Sequence, residues 1–495
     1  MLLTDLIRQG AERHGGRYAI RAGEMVLTFA EADALSTGMA QRLASRLTPG
    51  CPVGILAGNG LLSLPLDFAC GKARVVRVPL NARLSTDEHR RMLERLEVRV
   101  VVHSGDQSGR AQALASVCGV ELIALDTLAD GAERERGVLP DPQPDDPVLA
   151  LFTSGTTGQL KAVVHSQRTY GAVVLNVLSN LLDPRPGDSM LHAASLFHAS
   201  GTLLLPYWLR GGMAEVLPGF EPAAYMDAVE RRRPTALMLV PTMLAMLIDH
   251  PDFAPERFAS VVTILYGASP MPRPLIERAL ELLGPRFVQF YGQTEAPLAI
   301  AALTKEDHLD RRRLGSCGRP ARDAEVRIDA APGEPGEVLV RAPFAMVGYH
   351  DEPELTAQTA TGDGWVRTRD VGRLDEDGYL TLVDRASDMI VSGGYNIYPK
   401  EVEDALLTHP AVREAAVVGV PDAVWGEAVM AFVVLASGAK VDADVLRDLC
   451  RERLARYKAP KEVRFLDALP LSVVGQPLRR VLREPFWNER DRRVG

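Results

Sequence analysis

The chain has 495 residues, 46% of them hydrophobic and 24% charged, which is ample for a large core and rules out disordered, collagen-like and mini-protein readings. Its 56 basic residues against 64 acidic ones leave a net charge of −8 with no long run of either sign, which disfavours nucleic acid as a partner. Five scattered cysteines, Cys51, Cys70, Cys118, Cys317 and Cys450, never form C-x-x-C, so neither a disulfide framework nor a zinc site is suggested, and a reducing cytoplasm fits best.

The opening MLLTDLIRQGAERHGG lacks the apolar core and small-residue cleavage site of a signal peptide. Short apolar runs then alternate with helix-like segments: PVGILAG, LLSLPLDFACGKA, VVRVPL, the charged TDEHRRMLERLE, and VRVVVHSG. That alternation predicts βα units around largely parallel sheets, with ligand loops at the strand ends. The most apolar stretch, Ala236 to Ile248, is interrupted by Pro241 and Thr242 and is shorter than the roughly 20 residues that cross a bilayer, so it is expected to be core rather than a membrane span. From about 315 to 384 the pattern becomes turn-rich β, and the AAPGEPGE run is read as a hairpin turn. A compact α+β pattern follows Arg385: helix PKEVEDALLTH, strands REAAVVGVP and EAVMAFVVLA, helix DADVLRDLCRERLARY and strand EVRFLDALP.

The segment richest in chemistry is Leu151-Phe-Thr-Ser-Gly-Thr-Thr-Gly-Gln-Leu-Lys161. Glycines let backbone N–H groups converge, the hydroxyls of Thr153, Ser154, Thr156 and Thr157 add donors, and Lys161 adds charge, a set suited to polyphosphate. Gly155 and Gly158 are too close together for a Walker A loop, and no Lys-Ser/Thr follows. A plain Ser/Thr/Gly turn is the alternative for this segment taken alone. Elsewhere, Glu295 is a hard oxygen ligand suited to Mg²⁺ beside Thr294, Asp370 is an acceptor that can take two ribose hydroxyls, and Arg385 offers a planar fork to phosphate or ribose; taken alone, the three read equally as a surface acid, a helix cap and a surface salt bridge.

With these segments in view, the chain resembles the adenylate-forming (ANL) superfamily, which includes acyl-CoA synthetases, peptide-synthetase adenylation domains and luciferases. The glycine and hydroxyl loop resembles that family's phosphate loop, and the other stations follow in order. Val78-Pro-Leu-Asn-Ala-Arg-Leu84 resembles an early structural motif, and Ser195-Leu-Phe-His198-Ala-Ser-Gly201 the gate of the acyl pocket. Tyr266-Gly267-Ala268-Ser269 resembles the adenine-contacting turn, and Tyr291-Gly-Gln-Thr294-Glu295 the phosphate and magnesium motif. Asp370 matches the ribose-binding aspartate, Arg385 the arginine before the hinge, and Ser392-Gly393-Gly394-Tyr395 the loop that opens the small domain and lines the coenzyme A tunnel.

The resemblance implies an α/β protein with a large N-terminal domain of parallel sheets and a small β-barrel-like subdomain (1–384), a hinge at 385–388 centred on Ser387, and a mobile α+β C-terminal domain (389–495). It also implies a two-step reaction. A carboxylate attacks the α-phosphorus of ATP, with Mg²⁺, to give acyl-adenylate and pyrophosphate. The coenzyme A thiolate then attacks the acyl carbon and AMP leaves. Walls of the acyl pocket are expected near His198, Pro241 to Leu244, Gly267 to Met271 and Gln293 to Ala299, with Gly201, Ala268 and Ala296 leaving room for a bulky acid. A homodimer is compatible with the sequence.

Three motifs depart from the family pattern. Where relatives carry Leu-Pro-x-x-x-x-Gly-Lys, this chain has Leu469-Pro-Leu-Ser-Val-Val-Gly-Gln476, so the lysine that bridges carboxylate and phosphate during adenylation is Gln476. Loss of one preorganised electrostatic donor costs on the order of 10² to 10³ in rate. The phosphate loop carries Leu160-Lys161-Ala162 in place of Pro-Lys-Gly, and Arg369 stands where a glycine is usual. Because that lysine serves only the first half-reaction, the expectation is an enzyme that mainly converts acyl-AMP and coenzyme A to acyl-CoA, supplied by a separate adenylating partner. The alternatives are a conventional two-step synthetase, with Gln476 introduced by engineering or compensated by Lys458, Arg479 or Arg480, and a nucleotide-binding pseudoenzyme.

Overall fold

The computed structural model describes residues 1–154, 160–196, 199–269, 271–331, 333–385, 388–392, 395–422, 424–471 and 476–487. Within them the apolar runs form strands of two large sheets. One has the order Gly348–Tyr349, Leu160–Ser166, Pro147–Ser154, Val76–Pro79, Pro52–Leu56, Val100–His103 and Glu121–Ala124, the last five parallel. Val53, Ile55, Val100 and Val102 are buried, as continuous apolar strands covered by helices should be. The covering helices start where their sequences cap them: Thr28 with Glu31 opens Phe29–Ala44, and Ser85 with Glu88 opens Thr86–Arg95.

The second sheet carries Thr263–Tyr266 between Ala236–Leu239 and Phe287–Gln293, all parallel, and continues through the antiparallel Ala296–Leu303 to an edge at Arg319–Pro320. The apolar stretch at 236–248 is therefore a strand followed by the helix Pro241–Ile248, with Pro241 as its first residue. Among the described residues no helix is long and apolar enough to cross a membrane. An aromatic cluster fastens the N-terminal helix Leu3–His14. Trp208 stacks on Phe29 at 4.4 Å and donates its indole N–H to the Ile7 carbonyl at 2.7 Å.

The turn-rich segment forms an antiparallel four-stranded sheet of Glu325–Asp329, Gly336–Arg341, Val366–Leu374 and Leu380–Arg385. After it, Val412–Asp422 and Gly426–Leu435 form a long hairpin, with Glu462–Phe465 alongside and the helices Pro399–Leu407 and Ala443–Arg453 against it, in the expected order. The five cysteines are unpaired.

Candidate nucleotide site

Strands Pro147–Ser154 and Leu160–Ser166 pair antiparallel, with Thr153 opposite Lys161 and Ser154 opposite Leu160, so residues 155–159 join two strands rather than a strand and a helix. Gly155, Thr156, Thr157 and Gly158 lie outside the described residues, as does the Ser154 side chain. Lys161 is only 6% exposed, and among the described residues its ammonium makes no hydrogen bond or ion pair. It sits 5.8 Å from the centroid of the Tyr349 ring. Burial, and then the positive charge of Arg369, pulls its pKa below the ordinary lysine value, while Glu295 and Glu352 oppose the shift.

Glu295 lies in the short connection between strands Phe287–Gln293 and Ala296–Leu303. Its backbone carbonyl accepts from the Met346 N–H at 2.8 Å, and the Thr294 carbonyl accepts from His165 Nε2 at 2.8 Å. Full burial pushes the His165 pKa down to about 4, so the ring is neutral and donates through Nε2–H. Tyr349 Oη donates to Glu295 Oε1 at 2.7 Å. Burial, and then the Glu295 charge, raises the pKa of that phenol, which keeps it a donor. Among the described residues Oε2 carries no hydrogen bond, and no cluster of three or more His, Cys, Asp or Glu side chains occurs. A single carboxylate with one uncommitted oxygen fits Mg²⁺, which is commonly held by one or two carboxylates together with phosphates and waters.

Asp370 lies in strand Val366–Leu374, opposite the backbone of Arg385, and accepts the Tyr291 hydroxyl at 2.5 Å. Tyr291 is 8% exposed, so it reaches Asp370 rather than solvent, and burial followed by the Asp370 charge holds its pKa well above the usual phenol value. Next along the second sheet, Gly267 leaves strand Thr263–Tyr266 so close to its neighbour that a Cβ there would lie 2.5 Å from the Phe290 carbonyl. Ala268 follows at φ +65°, and its carbonyl oxygen accepts the Gln476 amide Nε2 at 2.5 Å. Gln476 thus meets the turn that resembles the adenine-contacting one, Asp370 meets Tyr291, and Lys161 and Glu295 both approach Tyr349.

Other expected site residues fall elsewhere. His198, Ser387, Gly393 and Gly394 lie outside the described residues, as do the side chains of Arg385 and Tyr395. Ser392 ends strand Ile390–Ser392, paired with Gly426. The expectation that Gly201 leaves room for a bulky acid is corrected by packing: a Cβ on Gly201 would lie 1.6 Å from the Leu196 carbonyl, so its smallness serves a backbone crossing. Ala296 is likewise fully buried in core. Of the three cations considered as stand-ins for a lysine at 476, Lys458 is ion-paired to Glu401, and Arg479 is clamped by Glu403 at 2.8 Å and Asp388 at 3.0 Å. Arg480 is exposed. Sequence reading missed Tyr349, Thr359 and His165, since no local pattern announces a partner supplied from a distant strand or turn.

Comparison with known proteins fits this geometry. The AMP-binding enzyme family matches residues 7–350, and the AMP-binding enzyme C-terminal domain matches residues 401–476. The chain belongs to the AMP-binding enzyme family, within the ANL superfamily of adenylate-forming proteins. It is 38% identical over 479 residues to a feruloyl-CoA synthase from Amycolatopsis sp, covering 94% of this chain and 96% of that protein. It is 35% identical over 502 residues to the medium/long-chain-fatty-acid–CoA ligase FadD8 of Mycobacterium tuberculosis, covering 97% of this chain and 87% of that one. Among solved structures, the amide bond synthetase McbA from Marinactinospora thermotolerans superposes with a TM-score of 0.90 at 32% identity, covering 98% of this chain and 100% of the other.

Proposed function

We propose that the chain makes acyl-CoA thioesters and works mainly in the second half-reaction, acyl-AMP plus coenzyme A giving acyl-CoA plus AMP. The coenzyme A thiolate attacks the acyl carbon, the bond from that carbon to the phosphate oxygen breaks, and AMP leaves with the electron pair. The observation that carries this reading is Gln476 itself. It reaches the Ala268 carbonyl, yet its neutral amide supplies no charge to a carboxylate and a phosphate approaching one another. The engagement of Lys458 and Arg479 with acidic partners supports the same reading.

In this proposal Asp370, oriented by Tyr291, takes the ribose hydroxyls, Thr153 to Gly158 with Lys161 take phosphate, and Gly267 to Ser269 border the base. Thr294 donates to the α-phosphate. Glu295 would hold Mg²⁺, which would neutralise phosphate charge in whatever adenylation remains. Residues 1–384 form the nucleotide- and acyl-binding body, residues 385–388 the hinge, and residues 389–495 the moving domain, whose Ser392 to Tyr395 line the coenzyme A tunnel and whose motion brings that tunnel to the acyl carbon. His198 gates the acyl pocket. The feruloyl and fatty acyl relatives support a carboxylic acid substrate and do not choose between aryl and aliphatic ones.

A split assay tests this: pyrophosphate release from ATP with a panel of acids, against acyl-CoA formation from synthetic acyl-adenylates. Turnover of acyl-adenylate with negligible pyrophosphate release upholds the proposal. Pyrophosphate release at ordinary ligase rates makes the chain a conventional synthetase, and no turnover in either arm makes it a nucleotide-binding pseudoenzyme.

A further inference from the structure

Arg369 adopts φ +61°, a left-handed conformation that a residue with a side chain enters only where its surroundings enforce it. They do so here. The Arg369 backbone N–H donates to Glu337 Oε1 at 3.1 Å, and Arg367 holds Glu337 Oε2 at 2.6 Å. On either side of it, the Thr368 hydroxyl donates to the Val338 carbonyl at 2.7 Å and the Asp370 N–H donates back to that hydroxyl at 3.1 Å. A glycine would occupy this position without strain, so the arginine stands against a local backbone penalty. Strain of this kind concentrates at functional sites.

The side chain points to what the strain serves. A guanidinium has five N–H donors. Among the described residues, that of Arg369 makes one long bond, Nη2 to the neutral Thr359 hydroxyl at 3.4 Å, and no ion pair with any carboxylate. Lys161, nine-tenths buried, is equally without ion pair or hydrogen bond. Both cations flank Tyr349: the ammonium lies 5.8 Å from its ring centroid, and Thr359 links Arg369 to its hydroxyl. The Arg369 charge is near enough to disfavour the charge on Lys161. Of the two carboxylates whose charges reach Lys161, Glu295 has its Oε1 occupied by Tyr349 and Glu352 is ion-paired with Arg95. Two neighbouring cations with no ion pair among the described residues, one of them buried, form a receptor for an anion.

We propose that Arg369, together with Lys161, grips a diphosphate group, whether carried by ATP or present as free pyrophosphate. The inference rests on nucleotide use by this site but not on which half-reaction dominates. Consecutive residues of one strand then divide the nucleotide, Asp370 taking ribose and Arg369 taking the phosphates beyond the first. ATP affinity is thereby kept apart from the charge that Gln476 lacks for the bond-making step.

The test is equilibrium binding of ATP, pyrophosphate and AMP to the full chain and to R369G, R369Q and R369K, with no acid or coenzyme A present. Loss of a charge-assisted contact predicts that R369G and R369Q weaken ATP and pyrophosphate about 10- to 100-fold while AMP changes by less than about threefold. R369K should stay nearer the wild type. R369G relieves the left-handed strain and should melt no lower than the wild type, which separates a lost contact from a lost fold. ATP and pyrophosphate binding within about threefold of wild type in both R369G and R369Q, or equal losses for AMP and ATP, would overturn the proposal. Since no acyl substrate is present, either result leaves the split assay to be judged separately.

Discussion

Gln476 and Tyr291 show how single side chains set what the site can do. At position 476 an amide reaches the Ala268 carbonyl, without the charge of the lysine that the family pattern has there. Q476K is therefore expected to raise pyrophosphate release by on the order of 10² to 10³, and to leave turnover of supplied acyl-adenylate with coenzyme A unchanged, as read by the two arms of the split assay. Tyr291 acts at one remove, through its 2.5 Å bond to Asp370. Y291F removes a buried bond to a charged acceptor, so the fold should lose about 1.5–3 kcal/mol, read as a lower urea midpoint, and the freed Asp370 should make AMP affinity differ from wild type by calorimetry. Gln476, Glu295 and Asp370 could be singled out in the sequence because each sits in a short segment that resembles a family motif. Tyr349 and Thr359 were not, because their importance comes from meeting Glu295 and Arg369 across the fold, and no local spacing encodes that meeting.

The βα alternation, the Pro-started helices and the turn-rich sheet were readable from periodicity and turn residues, since burial on both faces leaves strands such as Val100–His103 uniformly apolar. What periodicity could not supply was the spacing between elements. Small residues in the gate segment looked like open volume, whereas Gly201 lies against the Leu196 backbone. G201A should accordingly destabilise the protein by about 1–3 kcal/mol, seen as a lower urea midpoint with an unchanged m-value, and should not enlarge the range of acids accepted. Arg369 belongs to the same lesson: the sequence marked it as a substitution for glycine, but its positive φ and its lack of a carboxylate partner among the described residues, which support the proposed use, are visible only in the fold.

Over the whole molecule, buried histidines couple stability to acidity. Burial holds His165 down to about 4 and His192 down to about 3, so both rings are neutral in the fold through the mildly acidic range. In the unfolded chain they protonate near 6.5, and that state therefore binds more protons as the pH falls below this value. Stability should drop between about pH 6.5 and pH 4, by up to about 2.7 kcal/mol per pH unit from these two rings. Burial-raised Asp67 and Glu215 act in the opposite direction. Urea unfolding at pH 7 and pH 5 measures the decline, and H165Q should shallow it. The way the strands are joined around residues 155–159 carries a different consequence. The nearest following helix, Gln167–Asn180, starts at the far end of strand Leu160–Ser166, about 20 Å away at roughly 3.3 Å per residue. The field of a helix end fades within its first turn, so no helix dipole reaches the proposed phosphate site from that side. Beside the hydroxyl and backbone donors of the loop, the charges that hold polyphosphate would then sit on side chains, and counter-ions screen exposed charges over about 8 Å at physiological salt but a buried one such as Lys161 much less. Whatever part of polyphosphate affinity rests on the half-buried Arg369 should therefore tighten in dilute buffer and loosen in brine while the shape of the site stays the same.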